Sequence, residues 1–71
     1  MYIIKGIFTD KYGGTFWINL KEESDTLKRT VLVENATKFN HWHIAADEVV
    51  RLYRENENRE IYFTIEELKK D

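Results

Sequence analysis

The chain has no cysteine and no proline, only three glycines, and a single serine at Ser24. Without cysteine, neither disulfides nor thiolate metal sites are available, which fits a reducing compartment. No run is long and apolar enough to span a bilayer or act as a signal peptide, so a soluble cytoplasmic protein is expected. No repeat, low-complexity tract or linker interrupts the 71 residues, which read as one domain. Neither sign of charge dominates. Residues 1–40 carry six basic and five acidic side chains, residues 41–71 five and eight, and the net charge is −2. That balance argues against avid, nonspecific binding to DNA. Covalent catalysis is poorly served, because Ser24 stands in a charged loop with no histidine nearby in sequence. The paired carboxylates Glu22-Glu23 and Glu66-Glu67 would need a shielded cleft to shift a pKa, and so short a chain has little volume for one. Gly13-Gly14 lacks the other glycines, the Lys-Ser/Thr pair and the following helix of a phosphate loop. The expectation is a protein that is not an enzyme and uses no cofactor.

What is present is enough apolar surface for a core: 42% apolar against 34% charged residues, with four Phe, four Tyr and two Trp, a balance that argues against disorder. The clearest element is Phe39–Asn56. Asn40 is a good N-cap, and Phe39 and Ile44 stand at the spacing of a hydrophobic staple. Trp42, Ala45, Ala46, Val49, Leu52 and Tyr53 recur at helical intervals as one apolar stripe. Asp47, Glu48, Arg51, Arg54 and Glu55 fall on the other side, with Asp47–Arg51 and Arg51–Glu55 as i,i+4 pairs. Asn56 ends the helix.

The other segments read as strands: Tyr2–Thr9, Thr15–Leu20 after a Gly13-Gly14 hairpin turn, Leu27–Glu34, and Glu60–Ile65. Thr64 and Glu67 match a capping box, so Ile65–Lys70 is either a last helical turn or a frayed tail. Strand, strand, strand, helix, strand is most simply an α+β fold, a four-stranded antiparallel sheet with the helix across one face. Period-two alternation turns Ile4, Gly6, Phe8, Phe16, Ile18, Leu20, Val31, Val33, Ile61, Phe63 and Ile65 toward the helix. Gly6 would lie beneath it, opposite the two alanines.

The remaining face holds Ile3, Lys5, Ile7, Trp17, Asn19, Lys28, Thr30, Leu32, Tyr62 and Thr64. An open sheet face is usually polar, and this one is not. Such a patch suggests a partner surface or a homodimer interface, with Trp17 and Tyr62 as anchors beside Ile3, Lys5, Ile7, Lys28 and Leu32. The same aromatics and lysines have the chemistry to stack and neutralise single-stranded nucleic acid, without an RNP-type motif. Asp47, Arg51, Arg54 and Glu55 form a second patch, though a solvated helix face explains it better. His43 and Asp47 have the spacing of two metal ligands, but no third is evident, and polar residues in a first helical turn account for them.

The segment Val31–Leu68, a strand leading through Ala36 and Phe39 into a helix with Ala45-Ala46 and on to a closing strand, resembles a pattern common in small phage- and prophage-encoded proteins. Anti-CRISPR proteins and other phage inhibitors of host factors are similar in size and in lacking cysteine and catalytic residues. The resemblance implies noncovalent, steric blocking of a larger host protein or nucleoprotein complex. It implies no particular binding residues.

Overall fold

The computed structural model describes residues 1–11, 13–21 and 27–69. The central strand is the most β-prone stretch of the chain, YIIKGIF, which forms β1 (Tyr2–Phe8). It reverses through Gly13 and Gly14, whose φ angles of 65° and 119° suit glycine, with Asp10 Oδ1 accepting from the Gly13 N–H at 3.0 Å. β2 (Thr15–Ile18) returns antiparallel with Gly6 opposite Phe16. β3 (Arg29–Thr30) flanks β2, α1 spans Trp42–Glu55, and β4 (Ile61–Glu67) lies along the other side of β1. The sheet order is β3-β2-β1-β4, antiparallel throughout. The α+β architecture expected from the sequence is the one observed.

Directly paired residues share a face. Ile4, Gly6, Phe8, Phe16, Ile18, Arg29, Ile61, Phe63 and Ile65 therefore look toward the helix. Ile4, Phe16, Ile18, Leu27, Phe39, Ala45, Leu52, Ile61 and Phe63 make the core. Burying a large apolar side chain contributes about 1.5–3 kcal/mol, so these few residues carry most of the fold's stability.

Where β1 and β2 part, the chain fills the gap itself. The Thr37 N–H donates to the Ile18 carbonyl and Thr37 Oγ1 accepts from the Leu20 N–H, while Phe39 and Tyr2 exchange two backbone bonds of 2.8 Å. Phe39 is thereby drawn into the core and delivers the helix to the sheet. The third strand is much shorter than the expected Leu27–Glu34. Its register with β2 would set Val31 opposite Phe16 and Leu32 opposite Thr15, but the chain turns away from them after Thr30. Thr30 Oγ1 accepts from the Leu32 N–H, and a 3-10 turn follows at Val33–Asn35. Val31 and Val33, expected in the core, are 76% and 43% exposed.

Other boundaries move for similar reasons. His41, not Asn40, occupies the N-cap position, and its side chain makes no capping bond. Phe39 is buried by pairing with Tyr2 while Ile44 stays 44% exposed, so no staple closes between them. Strand pairing with β1 carries β4 through Glu67, which excludes a helical turn at 65–67; Lys70 lies outside the described residues. Gly6 lies under the Phe16 ring, not opposite the alanines: a Cβ there would stand 2.3 Å from Phe16 Cζ.

Candidate functional site

The sheet face away from the helix assembles only part of the expected surface. Ile3, Lys5, Ile7, Trp17, Tyr62 and Thr64 do share it, as the register of β1 with β2 and β4 requires. Tyr62 is 55% exposed. Ile3, however, is 2% exposed and so is not a surface residue. Trp17 is half-buried, and its indole Nε1–H is sealed from solvent with no acceptor among the described residues. The polar end of that ring is therefore not offered to a partner. Lys5 is engaged by Glu66 across the strands at 3.7 Å. Lys28 is not on this face, because a positive φ of 50° precedes β3 and its side chain shares a hollow with Arg51, Glu55 and Asn56 beside the helix. Leu32 is half exposed but lies beyond the end of β3, off the sheet. The two lysines expected to frame Trp17 and Tyr62 are thus not brought together.

The helix offers a larger apolar surface, made of Trp42, Ala46 and Tyr53 from the expected apolar stripe together with Val50. Ala45 and Leu52 are buried, with Val49 packed against the core. Trp42, Val50 and Tyr53 are 57%, 56% and 41% exposed. The sequence carries three apolar doublets here, Ala45-Ala46, Val49-Val50 and Leu52-Tyr53. Successive residues on a helix differ by about 100°, so a helix cannot seat both members of each doublet against one narrow sheet. The first of the Ala and Leu doublets goes into the core, and Val49 leans on it. Trp42, Ala46, Val50 and Tyr53 then form a second stripe along the flank. The doublets were the signal in the sequence that pointed to it.

Tyr53 shows which way this flank faces. Its ring packs edge-on against Phe63 with centroids 5.0 Å apart, and its hydroxyl oxygen accepts from the Phe63 N–H at 2.8 Å. Leu68 donates to Met1, and Thr9 donates to Glu60, so the even-numbered residues of β4 bond to β1 and the odd-numbered ones point outward. The Phe63 N–H is one of those outward groups. At Tyr53 the helix therefore overhangs the outer edge of β4.

The charged face of the helix is knit internally. Arg51 holds Glu48 in an i,i+3 pair and Glu55 at 2.6 Å in an i,i+4 pair, in place of the Asp47 expected to join it. Donating a hydrogen bond to Glu48 raises the Arg51 pKa further, burial opposes this, and the charges of Glu48 and Glu55 add to it. The rings of His41 and His43 stack at 5.5 Å on the exposed helix start, and no group of three metal-ligating side chains occurs among the described residues. Ser24 and Glu22-Glu23 lie outside the described residues. Near the hairpin, where the helix does not reach, the Arg29 guanidinium lies 5.3 Å over the Phe8 ring and 5.9 Å from that of Phe16, roofing the aromatic end of the core. No helix among the described residues is long and apolar enough to cross a membrane.

Comparison of the chain with protein-family models, with curated proteins and with solved structures finds no match.

Proposed function

We propose that this protein is a noncovalent protein-binding module that works by covering a surface of a larger protein. The observation that carries the reading is the second apolar stripe of α1: Trp42, Val50 and Tyr53 stand out from one flank of a helix whose adjoining flank already fills the core. Exposed aromatic and aliphatic side chains on one continuous strip are the usual make-up of an interface centre. The resemblance of Val31–Leu68 to small phage-encoded proteins makes an inhibitor of a host factor, of the anti-CRISPR kind, the specific form of this proposal. A cysteine-free chain fits the cytoplasm as its place of action. Binding of single-stranded nucleic acid has less support, since Lys5 is paired with Glu66 and Lys28 lies on the other side of the sheet.

The test is affinity capture from host extract with the wild-type chain and with Trp42→Ser and Tyr62→Ser as baits, each first shown to be folded. A single protein retained by the wild type and by Tyr62→Ser but lost with Trp42→Ser is the expected result. Retention of nucleic acid, lost steeply as salt is raised, would replace the proposal with the nucleic-acid reading.

A further inference from the structure

β4 is an edge strand, and its edge is only half closed. The Tyr53 hydroxyl accepts from the outward N–H of Phe63 at 2.8 Å and donates to its carbonyl at 3.4 Å. The Ile61 N–H donates to the Arg59 carbonyl at 3.1 Å. The outward N–H and C=O groups of Ile65 and Glu67 have no partner among the described residues. A row of unpaired backbone groups is a template for another strand.

The row is short, and its length selects the occupant. A flexible segment must be ordered residue by residue, and the backbone entropy lost at each residue is about what one net hydrogen bond returns. Ile65 and Glu67 therefore leave such a segment no surplus. A strand already held extended by its own sheet has no such cost. A long preformed strand would run past Ile65 into the Phe63 groups that Tyr53 holds. The strand that fits must stop there, and β4 itself does, ending at Glu67. Antiparallel pairing about a two-fold axis at Glu66 sets Ile65 opposite Glu67 of a second copy, and Glu67 opposite its Ile65. Opposed residues of this kind exchange two bonds, so every open group is used and none held by Tyr53 or Arg59 is needed. Phe63 then faces Lys69 of the second copy, beyond the end of its strand.

We propose that this edge takes a second copy of the chain, joining two sheets into one through a dyad at Glu66. The proposal goes beyond the protein-binding reading and does not rest on it, since it uses the sheet edge and not the exposed Trp42 and Val50. On the outer face the same register sets Leu68 of the second copy opposite Thr64 and diagonal to Tyr62, which is 55% exposed in the single chain. The dyad also brings the two Glu66 carboxylates side by side. Each is paired with its own Lys5 at 3.7 Å, so the cluster is neutral, but the like charges at its centre oppose association. The dimer is therefore weak, and removing the Glu66 charge tightens it. A foreign strand with no carboxylate at that place would not respond so.

The test is sedimentation equilibrium of the full chain at neutral pH, from micromolar to millimolar concentration, beside amide hydrogen exchange followed by NMR. A reversible monomer–dimer equilibrium is expected, with exchange at the Ile65 and Glu67 amides slowing as concentration rises. A mixture of differently labelled chains should show contacts between Ile65 of one copy and Glu67 of the other. Glu67→Pro removes one outward donor from each copy without touching the bonds to β1. It should weaken the dimer about ten- to hundredfold, the worth of the two bonds lost, with the fold checked by the amide spectrum. Glu66→Gln leaves the backbone intact and should tighten the dimer about two- to fivefold, so it tests the same dyad even where the proline variant fails to fold. A monomer at every concentration, a dimer indifferent to Glu67→Pro in the folded variant, a dimer weakened by Glu66→Gln, or protection at Trp42 and Val50 in place of Ile65 and Glu67 would each overturn the inference.

Discussion

Gly6 is the residue on which the core is most intolerant. Alanine in a strand interior is ordinarily favoured over glycine by about 0.5–1 kcal/mol. The added methyl at Gly6 would sit 2.3 Å from the Phe16 ring, which is held between Phe8 at 5.0 Å and Phe63 at 6.3 Å and cannot swing away. Overpacking therefore wins, and Gly6→Ala should destabilise by about 1–3 kcal/mol in urea denaturation. Gly6→Ala combined with Phe16→Leu should cost less than the sum of the two single changes; strict additivity would show that the ring is not the obstacle. Trp17 poses the opposite case. Its buried N–H lacks an acceptor, a defect worth about 1–3 kcal/mol, so the area lost in Trp17→Phe is offset by removing that donor. Stability should change by less than about 1 kcal/mol; a larger loss would mean that the indole N–H is in fact bonded.

At the scale of elements, the join between α1 and β4 depends on one hydroxyl. Tyr53→Phe should cost about 0.5–1.5 kcal/mol, and the Phe63 amide should exchange faster with solvent while the Thr64 amide, bonded to β1, does not. The ion pairs on the other side of the helix matter less. Arg51 and Glu55 are 41% and 52% exposed, so solvent screens them, and Arg51→Ala should cost under about 1 kcal/mol. The raised pKa of Arg51 implies a contribution that is complete below the ordinary guanidinium pKa and lost only above it. This group should therefore give no slope of stability with pH across the neutral range, which denaturation at several pH values would check.

For the whole molecule, the helix divides two tasks between two flanks. Ala45 and Leu52 hold the sheet, while Trp42 and Val50 contribute little to that core. Trp42→Ala and Val50→Lys should each leave stability within about 0.5 kcal/mol of wild type. If the proposed interface is centred there, Trp42→Ala should weaken partner binding by about 2 kcal/mol or more, measured by calorimetry. Loss of stability comparable to Leu52→Ala would instead place Trp42 in the fold and not at an interface.

The order of elements was legible in the residues themselves. YIIKGIF can alternate only as a strand, Gly13-Gly14 can turn, and the spacing of Ala45, Val49 and Leu52 can pack only as a helix. Those are local properties, set by backbone sterics and by the period of the side chains. What local pattern could not supply was partnership. Val31 and Val33 look like a strand but leave the sheet, because Thr30 Oγ1 takes the Leu32 N–H and a 3-10 turn at Val33–Asn35 carries the chain back to Thr37 and Phe39, which bond Ile18 and Tyr2. Ile3 looks like a surface residue and is buried, while Trp42 and Tyr53 look like core and stand exposed. Alternation and helical period say only that two sets of side chains point apart. Which set is covered depends on which other segment arrives to cover it, and that is decided by contacts between residues far apart in the chain.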